Sequence, residues 1–287
     1  MIHVIIPVFN RINFTVDCLR SLKKQINYKQ LNIIVVDDGS TDDTLKILKK
    51  DFSEIKILKG TGSLFWCGAI SLGIKFVTKI AKTNDYVLLL NNDVELSSNA
   101  IINLVEVLNQ FDRKAIASAL SIDFYDKKTI IKSGTIVKSW FWNITNHVYK
   151  GKSIDDICDF KPKLVDVLTG RCLLHPVEIF TKIGNYDSFN FRHYGGDDEF
   201  SRRVIRSGLK VVLCAESIVF LKDNNHFNNV SVYNFFFNMF FGIKSNQNII
   251  TKFNLTKKVV PLYARPTYFI IAILKSLYVS LKIFFKK

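Results

Sequence analysis

The first 95 residues alternate short apolar runs with segments of helical periodicity, and this alternation limits the fold more than any other feature of the sequence. Runs of this length without polar interruption are typical of strands buried on both faces. Strands that alternate with helices form parallel sheets covered by helices on both sides. We therefore predict an α/β fold with a doubly wound, mostly parallel sheet, with strands at 3–8, 31–36, 55–58 and 86–90 and helices at 14–24, 44–50 and 68–81.

The rest of the chain continues the pattern less regularly. The stretch 126–163 contains β-like pieces and the aromatic residues Trp140, Phe141 and Trp142, which indicates a hairpin and a loop. We predict a domain at 1–223, divided into halves 1–98 and 99–223, and a helical appendage at 224–287. The other elements predicted after residue 98 are helices at 99–108, 176–183 and 197–207 and strands at 115–122, 165–174 and 210–214.

The charge is concentrated at the C-terminal end. The 287 residues carry 40 Lys and Arg against 25 Asp and Glu, and residues 224–287 contain nine basic residues and no acid. Basic charge mixed with many aromatic and aliphatic residues favours an anionic membrane surface over a nucleic acid as partner. The five cysteines include no C-x-x-C pair, which favours reduced thiols. The N-terminal residues resemble no secretion signal, so we expect a cytoplasmic protein.

The apolar stretch 268–285 is interrupted by Lys275 and Lys282, so its uncharged part is shorter than a membrane-spanning helix requires. At helical spacing these lysines share one side with Lys286, Ser276 and Ser280. Apolar side chains occupy the opposite side. This pattern predicts a helix lying in the membrane interface, and the alternative is a terminal helix packed on its own domain. The apolar residues of the predicted helix are Leu274, Leu277, Leu281 and Phe284.

Acidic residues follow two of the predicted strands. Asp37 and Asp38 end the strand 31–36, and Asn91, Asn92 and Asp93 follow the strand 86–90. The carboxyl ends of parallel strands meet at one edge, where ligands bind in open α/β sheets. Carboxylates there can hold a divalent metal against a diphosphate. The arrangement therefore predicts a nucleotide-sugar enzyme.

Four segments together resemble the family-2 glycosyltransferases, which are inverting enzymes of the GT-A fold. The resemblance covers residues 2–222 and is closest to the branch of bacterial rhamnosyltransferases. Each motif is weak by itself, but all four occur in the family's order and spacing. They are Ile5-Ile6-Pro7-Val8-Phe9-Asn10, Val35-Val36-Asp37-Asp38-Gly39-Ser40-Thr41-Asp42, Asn91-Asn92-Asp93 and Gly195-Gly196-Asp197-Asp198-Glu199.

The resemblance implies a nucleotide site, in which Asp38 accepts a hydrogen bond from the base of a UDP- or dTDP-sugar beside Pro7. It also implies a Mg²⁺ or Mn²⁺ ion at Asp93, with His226 as a further contact. Asn91 replaces the first Asp of the usual metal triplet, and its amide oxygen is a weaker ligand. Trp66 is a candidate for stacking or for core packing. The full predicted nucleotide set is Pro7, Asn10, Asp37, Asp38, Gly62, Trp66 and Asn92.

The catalytic base implied by the resemblance is Asp197, with Asp198 as its rival. Inversion needs a carboxylate that removes the proton of the acceptor hydroxyl. Crowded acids raise the pKa of one of them, which suits a base. The predicted acceptor residues are Gly170, Arg171 and Glu199.

These expectations combine into an enzyme that adds one sugar to a bacterial surface glycan, such as an O-antigen or a capsule. The acceptor is expected to be lipid-linked, and the C-terminal region is expected to hold the protein on the inner face of the cytoplasmic membrane. Two alternatives stay open: a nucleotidyltransferase, and a nucleotide-sugar-binding homologue without turnover.

Overall fold

The structure is a computed structural model that describes residues 1–222 and 232–285, with side chains described for 1–222 and 236–278. His226 and the predicted domain boundary at 223/224 lie outside the described residues, as do the side chains of Ser280, Leu281, Lys282, Phe284 and Lys286.

The N-terminal part is the predicted alternation of parallel strands and helices. The order β3-β2-β1-β4 brings the carboxyl ends of β1, β2 and β4 to one edge of the sheet. The elements are β1 (Ile2–Val8), α1 (Ile12–Lys23), β2 (Leu31–Asp37), α2 (Thr44–Asp51), β3 (Lys56–Lys59), α3 (Phe65–Val77) and β4 (Tyr86–Leu90).

The second part extends the same sheet across the predicted division at residue 98. Its elements are β5 (Val94–Leu96), α4 (Ala100–Gln110), β6 (Ala115–Asp123), β7 (Ile130–Lys132), β8 (Thr135–Ser139), β9 (Ile144–His147), β10 (Lys163–Leu164), β11 (Cys172–Pro176), α5 (Glu178–Ile183), α6 (Gly196–Arg206) and β12 (Lys210–Leu221).

Ten strands of the described residues form this sheet. The order along its main path is β10-β12-β6-β11-β4-β1-β2-β3, with β5 beside β12 and β7 beside β6. Strand β11 runs antiparallel to both β4 and β6. Strands β8 and β9 form the predicted hairpin apart from the sheet. The strand β11 therefore joins the N-terminal parallel strands to the second half.

The core lies on both faces of the sheet. Along β4, Leu88 and Leu90 pack on one face and Val87 and Leu89 on the other, all fully buried. This two-sided burial explains why β4 has no polar residue.

Three predicted elements differ from the structure by more than two residues at an end. The predicted strand 165–174 is interrupted, and only Cys172–Pro176 belongs to β11. The interruption coincides with Gly170, whose backbone N–H bonds a side chain instead of a neighbouring strand. The predicted strand 210–214 continues to Leu221 past an irregularity between Cys214 and Ile218. The predicted helix 68–81 begins at Phe65 and ends at Val77.

The C-terminal region is helical, with α7 (Val232–Phe240), α8 (Ile249–Lys258) and α9 (Arg265–Phe285). Helix α9 packs against α7 and α8, and α8 packs against α6. The Tyr268 ring lies 6.2 Å from the Trp140 ring, between centroids. Lys275 donates to the carbonyl oxygen of Asn143. The first turns of α9 are thus packed on the rest of the protein, as in the alternative that the sequence left open.

The position of Ser276 in α9 differs from the predicted one. Ser276 was expected on the polar side, but it is buried together with Ala272, and its hydroxyl donates to the Ala272 carbonyl at 2.9 Å. Leu274, predicted on the apolar side, is exposed, as are Ile270 and Tyr278. The small side chains Ala272 and Ser276 face the rest of the protein, because small residues let the helix approach it closely. Within residues 1–222 and 232–285, no helix is both long and apolar enough to cross a bilayer.

Candidate active site

Asp38 binds the glycine-rich loop that precedes α3. Its Oδ1 accepts a hydrogen bond from the Gly62 N–H and its Oδ2 accepts one from the Phe65 N–H, both at 2.9 Å. Gly62 needs its glycine because its φ of +84° is in the left-handed region. Only 6% of Asp38 is exposed. A carboxylate has lone pairs beyond these two, so Asp38 can shape the loop and still accept from a ligand.

Asn10 and Asp37 hold the turn that follows β2. The Asn10 side-chain oxygen accepts from the Thr41 N–H at 2.8 Å, and the Asn10 N–H donates to the Ser40 hydroxyl at 2.7 Å. Asp37 accepts from the Ser40 N–H at 3.2 Å. Pro7 is half-buried at the end of β1, opposite Val36. The predicted nucleotide residues of β1 and β2 therefore lie together at the carboxyl edge of the sheet.

Trp66 is held by the strand-end triplet. Its indole N–H donates to the side-chain oxygen of Asn91 at 2.8 Å, and its ring meets Tyr186 edge-on at 5.8 Å between centroids. Trp66 also belongs to the packed layer on one face of the sheet. The geometry therefore favours the packing role over the stacking role. The same bond engages the Asn91 oxygen, which the sequence suggested as a weak metal ligand.

The described residues offer one carboxylate of the triplet to a metal. Asn92 donates to the Thr15 hydroxyl at 3.0 Å, and Asp93 is buried to 8% exposure. No three His, Cys, Asp or Glu side chains converge within 1–222 and 236–278 in a way that could hold an ion. Asp93 fits a cation that takes its other ligands from a diphosphate and water.

Asp197 lies in the first turn of α6 and contacts Gly170. Its Oδ2 accepts from the Gly170 N–H at 2.9 Å, while its Oδ1 is buried without a hydrogen-bond partner among the described residues. Burial raises the pKa of Asp197 to about 7; the Gly170 hydrogen bond and the Arg171 charge act against burial, and the Asp198 charge adds to it. A carboxylate with this pKa exchanges its proton near neutral pH.

Gly170 makes this contact possible because it has no side chain. A Cβ at residue 170 would lie 2.5 Å from Cη2 of Trp66 and 2.9 Å from Oδ1 of Asp197. The neighbouring Arg171 accepts the Asn91 N–H through its carbonyl oxygen at 2.9 Å. The segment 170–171 thus connects Trp66, the strand-end triplet and Asp197.

Asp198 and Glu199 have different surroundings. Burial raises the pKa of Asp198 to about 6, and Asp198 lines a cavity whose lining residues do not include Asp197. Glu199 binds Arg203 through both oxygens, at 2.7 and 2.8 Å, and Arg203 also donates to the carbonyls of Ile183 and Asn185. This geometry favours a structural role for Glu199 over the predicted acceptor contact. The i,i+4 spacing of Glu199 and Arg203 was a signal that sequence analysis did not use.

Two basic residues beside the glycine-rich loop were missed. Arg192 lies 4.5 Å above the Phe65 ring and donates to the Ser63 carbonyl at 3.0 Å. Lys244, between α7 and α8, lies 5.0 Å from the Phe9 ring centroid and 5.8 Å from that of Phe65. No sequence pattern connects these residues, because more than 120 positions separate each from the loop.

The comparisons with known proteins agree with this geometry. A family model described as "Glycosyl transferase family 2" matches residues 3–162. The chain belongs to glycosyl transferase family 2. An uncharacterized glycosyltransferase of Rickettsia prowazekii is 29% identical over 198 residues, which cover 67% of this chain and 56% of that relative. The chain therefore spans little more than half the length of this family-2 relative.

Other similarities cover shorter stretches or the fold alone. The poly(ribitol-phosphate) beta-glucosyltransferase of Bacillus spizizenii is 34% identical over 105 residues, 35% of this chain and 16% of that protein. GalNAc-T7, solved with UDP, GalNAc and Mn²⁺, has a TM-score of 0.63 at 16% identity and covers 89% of this chain and 48% of its own. S. aureus TarS 1–349 with UDP has a TM-score of 0.55 at 13% identity, covering 96% and 70%. These structures confirm the predicted GT-A fold.

Proposed function

We propose that this family-2 protein transfers one sugar, with inversion, from a UDP- or dTDP-sugar to a glycan, and that Asp197 is the catalytic base. The observation that carries the proposal is the Asp197 carboxylate. One oxygen is fixed by Gly170, the other is buried without a described partner, and burial raises the pKa to about 7. Such a group can accept a hydroxyl proton near neutral pH.

The donor nucleotide is proposed to bind at the carboxyl edge of β1, β2 and β4. Asp38 positions the loop Gly60–Phe65 and accepts from the base N–H, with Pro7 beside the nucleoside. Asn10 and Asp37 keep the turn after β2 in place. The UDP in the GalNAc-T7 and TarS structures supports a uridine nucleotide, and a Pyrobaculum calidifontis mannosyltransferase of similar fold was solved with GDP-Man.

Asp93 is proposed to hold Mg²⁺ or Mn²⁺ beside the diphosphate. A bound divalent ion would offset the charge of the departing nucleotide. The Mn²⁺ in the GalNAc-T7 structure supports this choice. Asn91 is proposed to act through Trp66 and not as a ligand, because its oxygen accepts the indole N–H. His226 stays a predicted contact.

Asp197 is proposed to take the proton of the acceptor hydroxyl as that oxygen attacks the anomeric carbon from the face opposite the nucleotide. Gly170 keeps the carboxylate oriented, and the Arg171 charge limits the rise of its pKa. The leaving nucleotide departs on the β4 side, where Asp93 lies. In this proposal Asp197 acts on the attacking hydroxyl, and Asp93 acts on the leaving nucleotide.

The acceptor is proposed to be a lipid-linked surface glycan, and the C-terminal helices are proposed to rest on the inner face of the cytoplasmic membrane. The exposed apolar side of α9 and its basic residues suit an anionic lipid surface. The Bacillus relative, named for a poly(ribitol-phosphate) substrate, supports a cell-surface polymer. Exposed apolar side chains of the region include Phe237, Phe241, Phe253, Leu262, Tyr263, Ile270, Leu274 and Tyr278.

The test of the chemistry is nucleotide release from a panel of UDP-, dTDP- and GDP-sugars, with Mn²⁺, Mg²⁺ or EDTA. We expect release from one donor, loss with EDTA, and at least a hundredfold loss in Asp197→Asn and Asp93→Ala. The exposed Asp112→Asn variant is the control and should keep wild-type release. Tight donor binding with neither hydrolysis nor transfer to an acceptor would instead identify a binding protein without turnover.

Membrane attachment is tested by flotation with anionic and neutral liposomes. The triple substitution Ile270→Gln, Leu274→Gln and Tyr278→Gln should abolish binding to anionic vesicles, since it removes the exposed apolar side of α9. The control is Ile26→Gln, an exposed apolar residue far along the chain from the C-terminal helices. Equal binding of both variants would contradict the proposal.

A further inference from the structure

A cavity of about 260 Å³ lies between α6 and the C-terminal helices. Asp198 of α6 lines one side, and Asn143 of the β8–β9 hairpin lines another. Helices α8 and α9 supply most of the remaining lining, together with Tyr194, Gly195 and Asn246. The polar lining residues of the two helices are Thr251, Lys252, Tyr268 and Lys275. Four stretches of the chain therefore line a cavity of mixed polarity that includes Asp198, the neighbour of Asp197.

Two lysines bring positive charge to this cavity. Lys252 donates to the Asn246 carbonyl at 3.2 Å, and Lys275 donates to the Asn143 carbonyl. An ammonium group has three N–H donors, so each lysine keeps donors for a ligand. Burial lowers the pKa of Lys252, because it disfavours the charged ammonium group. An anion in the cavity would offset this cost.

Asp198 faces the same cavity with acceptor capacity. No side chain of the described residues donates a hydrogen bond to Asp198. Its carboxylate accepts only from its own backbone N–H. Burial, with a smaller effect of the Asp198 charge, raises the pKa of Tyr268 to about 12, so the Tyr268 hydroxyl keeps its proton. The cavity thus contains one carboxylate that can accept hydrogen bonds and two ammonium groups that can donate them.

We propose that this cavity binds the end of the acceptor as a sugar phosphate or polyol phosphate, with Lys252 and Lys275 on the phosphate and Asp198 on a hydroxyl. A phosphate suits two lysines on different helices, because each approaches a different oxygen as a point charge, whereas a planar carboxylate favours the arginine fork. The assignment as an acceptor site rests on the proposed function, since Asp198 directly follows the proposed base Asp197.

The test is isothermal titration calorimetry on the full chain with glucose 6-phosphate, glucose and inorganic phosphate as probes. We expect glucose 6-phosphate to bind at least tenfold more tightly than either other probe. Lys252→Met and Lys275→Met should each weaken it at least fivefold, and Asp198→Asn should weaken it by a similar factor. Lys257→Met, an exposed lysine of α8 away from the cavity, is the control.

Each outcome decides the proposal. The proposal is overturned if glucose or inorganic phosphate binds as tightly as glucose 6-phosphate, or if no probe binds. It is also overturned if Lys257→Met weakens binding as much as Lys252→Met does. Circular dichroism and melting temperature of each variant exclude unfolding as the cause. UDP binding by the wild-type chain, measured separately, tests the proposed function, so the two proposals can fail independently.

Discussion

The indole N–H of Trp66 donates to the side-chain oxygen of Asn91 at 2.8 Å, and this bond joins the start of α3 to the strand end that leads to Asp93. The glycine-rich loop and the strand-end triplet are therefore positioned together. Because Trp66 also covers Gly170, a disturbance at Asn91 can reach Asp197 through packed groups.

Asn91→Leu should destabilise the fold by about 1–3 kcal/mol, because it leaves the half-buried indole N–H without its acceptor. Urea denaturation of the wild type, Asn91→Leu, Trp66→Phe and the double variant measures the coupling between the two side chains. We expect the double variant to cost less than the sum of the single variants. Strict additivity would show that the bond contributes nothing.

Gly170→Ala should cost about 1–3 kcal/mol of stability, because the new methyl group meets Trp66 and Asp197 at distances that require movement. We also expect at least tenfold lower turnover, since the contact orients the proposed base. In a Trp66→Phe background the same substitution should cost less, because the smaller ring leaves room for the methyl group. If Gly170→Ala costs the same stability in the Trp66→Phe background, contact with Trp66 is not the source of the destabilisation.

Asp197→Asn should stabilise the protein at pH 8 by up to about 4 kcal/mol, because the pKa rise of about three units corresponds to about 1.4 kcal/mol per unit. Burial raises the pKa of this carboxyl from 3.8 to about 7, so the folded state binds its proton more tightly than the unfolded state. Stability is then lost as the pH rises from about 4 to 7, and the loss is complete above 7. Chemical denaturation at pH 8 and pH 4 should show a gain only at pH 8, while exposed Asp112→Asn shows none.

The pH dependence of kcat/KM should report the same carboxyl. Activity should rise as the pH passes about 7 and then level off, because the proposed base must be deprotonated. Asp198→Asn should keep the inflection but move it to slightly lower pH, because the Asp198 charge no longer raises the pKa of Asp197. Asp197→Asn should lose the inflection together with most activity. Initial rates from pH 5 to 9 measure both. Loss of the inflection in Asp198→Asn, with its retention in Asp197→Asn, would reverse the assignment.

Most of the N-terminal parallel strands were predictable because they are continuous apolar runs. The helices between them were predictable from their periodicity, although α3 begins three residues earlier and ends four residues earlier than predicted. The three-residue strand β5 and the continuation of β12 past Cys214 were not predictable, because a short or irregular pairing produces no periodic pattern. Ser276 was misplaced because the helical pattern indicates two sides but not which side meets the domain.

In the candidate site, too, some residues could be predicted from the sequence and their contacts could not. Asp38 and Asp93 follow from their positions at strand ends, and Asp197 follows from its motif. Their partners do not, since the contacts of Asp38 with Phe65 and of Asp197 with Gly170 join loops through the tertiary fold. Lys244 beside Phe9 joins the C-terminal region to the first loop, and no local pattern encodes such a contact.

The cavity beside Asp198 is walled by helices α8 and α9, whereas the family match ends at residue 162. Substitutions in these helices can change the shape and charge of the cavity without altering the bonds of Asp38 to the glycine-rich loop. Under the proposed assignment of the two sites, the choice of acceptor and the choice of nucleotide are encoded on different stretches of the chain. A chimera that exchanges α8 and α9 between relatives would transfer one preference and leave the other with its parent.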